Sequence, residues 1–175
     1  QEEEIRERIQ KEEEALEAQR LELDQEKQRL LEALKEKIRR AIALIDADDL
    51  PAAMEIINES DDIREGVALH YNDAGMQARA GKAYDEAIKY YSRAISVSSE
   101  DENLYYNMGR AYYEAGDLDH AENCLANAMK LNPDFQAGEV FYQHLIKRRA
   151  AGNQPTQQAA VEKKSQGFLK KILKR

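Results

Sequence analysis

An all-α fold follows from three features of the sequence. Charged residues make up 34% of its 175 positions and hydrophobic ones 42%, against only three Pro and eight Gly, a balance that suits helices. Residues 1–34 contain neither Gly nor Pro and carry Glu2/Arg6, Glu4/Arg8 and Glu7/Lys11 at the helical i,i+4 spacing. From Leu34 to Phe135, small residues return in register every 34 positions among large apolar ones.

The first element is a long charged helix, residues 1–40, with a seven-residue recurrence of Ile9, Leu16, Leu23 and Leu30. That recurrence suggests a coiled-coil seam and a homodimer. The intervening places hold Glu12/Glu13, Gln19/Arg20 and Glu26/Lys27, the pattern of a solvated single helix; docking on a partner helix is a third reading, and all three stand. Continued to Ala47, such a helix would span roughly 70 Å and serve as a spacer.

The clearest repeat is Glu102–Phe135, with Tyr105, Met108, Gly109, Tyr112, Gly116, Asp117, Ala121, Leu125, Ala128 and Pro133 in pattern. Gly109 and Ala121 are small where two antiparallel helices come closest, Gly116-Asp117 turns the chain, and Pro133 follows the second helix. One period earlier, Ala68–Asp101 places Tyr71, Gly75, Ala87, Tyr91 and Ala94 at the matching positions, with Gly81-Lys82 at the turn. One period earlier again, Leu34–Val67 offers Ala41, Leu44, Leu50, Ala53, Ile57 and Ser60, with Ala47-Asp48-Asp49 at the turn and Pro51 in the next first turn. This most degenerate repeat would share its first helix with the end of the N-terminal arm.

After Pro133, residues 136–149 predict a capping helix through Val140, Phe141, Leu145 and Ile146, with Lys147, Arg148 and Arg149 at its negative end. Residues 150–160 read as a linker. Residues 161–175 then form a basic amphipathic tail. Phe168, Leu169, Ile172 and Leu173 share one helical face, and Lys170 and Lys171 stand among the cations around it. Such a tail suits an anionic membrane surface, an acidic protein groove or the chain's own acidic body, and the same composition also suits a disordered solubilising tail.

Charge and chemistry exclude other classes. The net charge of −8 resolves into a body, residues 41–149, with 20 acidic against 10 basic side chains, and a tail with six basic against one acidic. An acidic body argues against nucleic acid as the ligand. Cys124 is the lone cysteine, so an internal disulfide is impossible and a cysteine metal site lacks ligands. His120 and Cys124 stand at i,i+4, without an orienting third group or a pocket that would make a catalytic pair. Ser60-Asp61-Asp62 reads as a helix cap. No enzyme, metal or cofactor is expected.

The residues quoted for 102–135, and more loosely those of 68–101 and 34–67, resemble the tetratricopeptide repeat family. That resemblance implies an α-α superhelix of about three helical hairpins and a non-catalytic scaffold or adaptor that binds a partner peptide or helix in its concave groove. By the same resemblance the groove is lined by Ile38, Ile42, Asn72, Met76, Arg79, Tyr106, Asn107, Arg110 and Tyr113. Helix spacing adds that Tyr106, Arg110 and Tyr113 share one face, apart from the packing residues Tyr105, Met108 and Tyr112. The same rings at the same spacing also suit half-buried packing between repeats. The two-lysine arrangement with which some members grip a C-terminal carboxylate is absent. The alternatives are a membrane-associated or self-associating assembly factor held by the tail, and, since the chain begins with Gln, the regulatory region of a larger signalling protein. The expected location is cytoplasmic, with a weak membrane-surface contact through the tail as the variant.

Overall fold

The computed structural model describes residues 1–152, and every regular element among them is a helix: α1 (Glu2–Asp46), α2 (Leu50–Ile57), α3 (Asp61–Ala80), α4 (Tyr84–Val97), α5 (Glu102–Ala115), α6 (Leu118–Leu131) and α7 (Gln136–Gly152). The basic tail, with Phe168, Leu169, Lys170, Lys171, Ile172 and Leu173, lies outside the described residues. The chain divides into two compact units, residues 1–71 with 96–98, and residues 72–95 with 99 onward.

In the first unit, α1 runs unbroken for 45 residues. Residues 2–33 of it are exposed, including Ile9, Leu16, Leu23 and Leu30. Arg8 pairs with Glu12 at 3.3 Å, a turn onward and away from the expected Glu4, and Arg29 pairs with Glu26 at 3.7 Å. Two of the charged positions inside the heptad seam are thus satisfied within the helix itself. Burial begins only near the end of α1, where Ala41 and Ile45 meet α2 and its fully buried Ala53 and Ile57. Asp49 caps α2 by accepting from the Ala52 N–H at 3.2 Å, and Pro51 sits in the first turn. The turn before it puts Asp48 at φ 60°, a left-handed conformation that aspartate tolerates better than most residues. The Tyr71 hydroxyl donates to Asp46 Oδ1 at 2.9 Å and lies 3.2 Å from the Ile42 carbonyl, which ties α3 to the end of α1.

One boundary departs from the 34-residue period. The period divides the first two repeats at 67/68, but α2 ends at Ile57 after eight residues and α3 starts at Asp61 and runs for 20. The cause is local. Ser60 Oγ accepts from the Ile63 N–H at 3.3 Å, Asp61 and Asp62 occupy the positive first turn, and Arg64 spans Asp61 at 2.6 Å and Asn58 at 3.1 Å. A cap written into the sequence seven residues early lengthens one helix at the expense of its neighbour.

In the second unit, α3 and α4 approach closely where Gly75 meets the fully buried ring of Tyr91. Tyr91 clusters with Ala87 and Ala111, flanked by Ala78, Ile88 and Met108. The α5/α6 hairpin closes on Gly109, where an added Cβ would lie 3.2 Å from the Cβ of Cys124. Its turn uses Gly116 at φ 94°, and Asp117 caps α6 by accepting from the His120 N–H at 3.1 Å. Beyond Pro133, α7 continues to Gly152, past the expected end at 149 and into the stretch read as linker, because Ala150 and Ala151 favour the helix. Leu145, fully buried with Ala121 and Leu125, anchors α7 to the hairpin. Arg149 reaches Asp119 and Glu122, and Tyr142 donates to Glu122 at 3.2 Å.

Candidate functional site

Of the nine residues at the expected groove positions, Ile38 and Ile42 belong to the first unit, and the other seven lie in the second. Asn72, Met76 and Arg79 share one face of α3, at spacings of four and seven. Asn107 Nδ2 donates to Asn72 Oδ1 at 3.0 Å, and Arg79 donates to Glu114 Oε1 at 2.6 Å. Further along, Arg148 donates to the Tyr113 carbonyl at 2.7 Å. Each of these three pairs is separated by 35 residues, so one 34-residue period plus a single step brings consecutive first helices into contact. The sequence carried that signal in the Asn72/Asn107 coincidence, but a search for residues matching at 34 passes over it.

The aromatic members are less open than their spacing suggested. Tyr106 packs edge-on against Phe135 and Phe141, with centroids 5.3 and 5.8 Å away. Tyr113 packs against Phe141 at 5.0 Å, and the Arg148 guanidinium lies 4.4 Å above its ring. Both tyrosines are half-buried under α7. Arg110 lies 5.7 Å over the Tyr106 ring. Met76 is the most open of the seven, 39% exposed. Ile38 belongs to the first unit, half-buried against Gly66.

Beside this face, the Tyr91 hydroxyl and Arg79 Nε are buried without a hydrogen-bond partner among the described residues. Burial pushes the Tyr91 hydroxyl above the usual tyrosine range, and the neighbouring Arg79 opposes the shift. The Arg79–Glu114 pair is only partly exposed, with side chains 17% and 32% accessible, so solvent screens it less than a surface pair.

His120 and Cys124 do not form a reactive couple. The His120 ring stacks on Tyr112 at 5.0 Å and bonds Asp117 Oδ2 at 2.7 Å. Cys124 is buried, and that burial pushes its thiol up to about 11, which leaves it protonated near neutral pH. Among the described residues, no cluster of three or more His, Cys, Asp or Glu side chains could hold a metal, and no helix is long and apolar enough to cross a membrane.

Residues 78–139, from the end of α3 into the start of α7, match the family model of the tetratricopeptide repeat. Over that segment the chain is similar to the tetratricopeptide repeat family. The mitochondrial import receptor subunit TOM70 of Saccharomyces cerevisiae is 34% identical over 91 residues, 52% of this chain and 14% of that protein. Protein bimA of Emericella nidulans is 29% identical over 85 residues, 49% of this chain and 10% of that protein. The chain therefore spans a small part of the length of these relatives. Among solved structures, the Arabidopsis OM64 TPR domain aligns with a TM-score of 0.46 and 17% identity, over 66% of this chain and 96% of that one.

Proposed function

We propose that this chain is a protein-binding adaptor whose α3 and α5 faces receive a peptide or helix from a partner. The observation that carries the reading is the direct Asn72–Asn107 bond between successive first helices, with Met76 and Arg110 on the same two faces. Two amides in mutual contact keep free lone pairs and N–H groups for a peptide backbone. Arg110 offers a fork to a carboxylate or carbonyl, and Met76 offers an adaptable apolar contact. Tyr106 and Tyr113 act in this reading mainly through the rigidity that α7 gives them. The segment shared with an import receptor subunit is in keeping with a protein ligand, as is the acidic body, which disfavours nucleic acid.

The test is selection of a peptide library on the intact chain, followed by binding of the enriched peptides to Met76→Glu/Arg110→Glu. Both positions are at least partly exposed, so the variant should keep the circular dichroism spectrum of the parent. Enriched peptides that lose affinity tenfold or more on the variant support the groove. Peptides that bind both proteins equally would refute it.

A further inference from the structure

The end of the repeat array carries an open groove of about 550 Å³, part apolar and part polar, between the end of α6 and the first turns of α7. Met129, Pro133, Phe135 and Val140 supply its apolar wall, and Asp134 and Glu139 stand on the same lining. Val140 is 60% exposed there, and neighbouring Leu131 is 41% exposed. A repeat of this kind buries such a face under the next element of the chain. We infer that the occupant is the chain's own basic tail, residues 161–175, whose apolar residues Phe168, Leu169, Ile172 and Leu173 and cations Lys170, Lys171, Lys174 and Arg175 match the groove's apolar wall and its two carboxylates.

Two observations converge on that occupant. Charge is the first: the tail carries six basic side chains and one acidic, the body from 41 to 149 an excess of ten acidic ones, and Asp134 and Glu139 lie at the groove itself. Reach is the second. Gly152 ends α7, and Val140 lies 12 helical residues back, about 18 Å. Phe168 follows Gly152 by 16 residues, which extended could cover up to about 50 Å, so the connection reaches without strain. Phe135 lines this groove and packs on Tyr106 of α5, but the proposal does not rest on the adaptor reading.

The chain contains no tryptophan, so Phe168→Trp in the full chain is a single reporter. The expected result is emission blue-shifted from the denatured chain, independent of protein concentration and unchanged by phosphatidylserine vesicles. Val140→Asp, at an exposed position, should return the emission to the solvent value. Lys170→Glu/Lys171→Glu/Lys174→Glu should do the same without touching the folded body. Solvent-like emission in the parent reporter would overturn the proposal, as would a blue shift that survives both variants. A shift that grows with protein concentration would assign the groove to a second copy. One that needs vesicles would assign the tail to a membrane. Either result would overturn docking in its own groove.

Discussion

Gly75→Ala tests the close approach of α3 and α4 most sharply. A methyl there would sit 2.6 Å from Cε1 of Tyr91 and 2.8 Å from Cδ1 and Cζ, closer than carbon atoms tolerate. The ring has no room to retreat, since Tyr91 is fully buried against Ala87 and Ala111. Two effects of opposite sign compete. Alanine in a helix interior is favoured over glycine by about 1 kcal/mol. Overpacking a filled core costs about 1–3 kcal/mol, so the net loss should be roughly 0–2 kcal/mol, or a few degrees in melting midpoint for a chain this long. Gly109→Ala supplies the control. Its methyl would meet Cys124 Cβ at 3.2 Å and the Ala121 carbonyl at 3.4 Å, a milder contact, so helix propensity should nearly offset the crowding. Urea unfolding followed by circular dichroism should rank parent and Gly109→Ala close together and Gly75→Ala below both. A Tyr91→Leu background should shrink the Gly75→Ala penalty, which a double-mutant cycle measures directly. A Gly75→Ala chain as stable as Gly109→Ala would refute the argument that Tyr91 dictates the glycine.

Two further outcomes follow from groups on α6. Cys124, buried and with its thiol pushed to about 11, should react with an aromatic disulfide reagent near neutral pH only as fast as the hairpin opens, and rapidly once urea unfolds it. Labelling as fast in the folded chain as in the unfolded one would contradict that burial. The Asp117 carboxyl is held below its usual range chiefly by the His120 backbone N–H and then by the His120 side chain. Its stabilisation is therefore present above the ordinary aspartate value and lost as pH falls through the depressed one. Asp117→Asn should flatten the acid limb of the stability profile, and an unchanged limb would show that the carboxylate does not carry it.

Much of the fold was legible because close packing leaves a strong mark in sequence. Gly75, Gly109, Ala87 and Ala121 are small for a reason that holds wherever two helices touch, so the hairpins could be read from them. Gly116 was legible as the turn between the helices, and the structure gives its reason as a left-handed φ of 94°. The early start of α3 was harder to see, because it depends on competition between a weak repeat and a strong local cap. Ser60-Asp61-Asp62 was recognisable as a helix end, yet the 34-residue count drew attention past it to 67/68. The reach of α7 was harder still. Phe141, Leu145 and Arg148 read as a plain capping helix, and nothing in their spacing says that Phe141 meets two tyrosines seven residues apart on α5.

That last contact changes what the candidate groove can offer. A Tyr–Arg–Tyr strip open to solvent would have bound chiefly through its rings. With Tyr106 edge-on to Phe135 and Phe141, and Tyr113 between Phe141 and Arg148, those rings are already engaged. What stays available is polar and small in number: the Asn72–Asn107 pair, Arg110, and the thioether of Met76. Such a face suits an extended backbone with one or two anchoring side chains better than a broad hydrophobic helix, because amides satisfy backbone groups and a lone methionine fills one pocket. Selected peptides should therefore share hydrogen-bonding character and a single apolar anchor. An enriched set dominated by an apolar i, i+4, i+7 stripe would instead mean that α7 moves aside and frees the tyrosines, which Leu145→Ala would then mimic by loosening the helix that covers them.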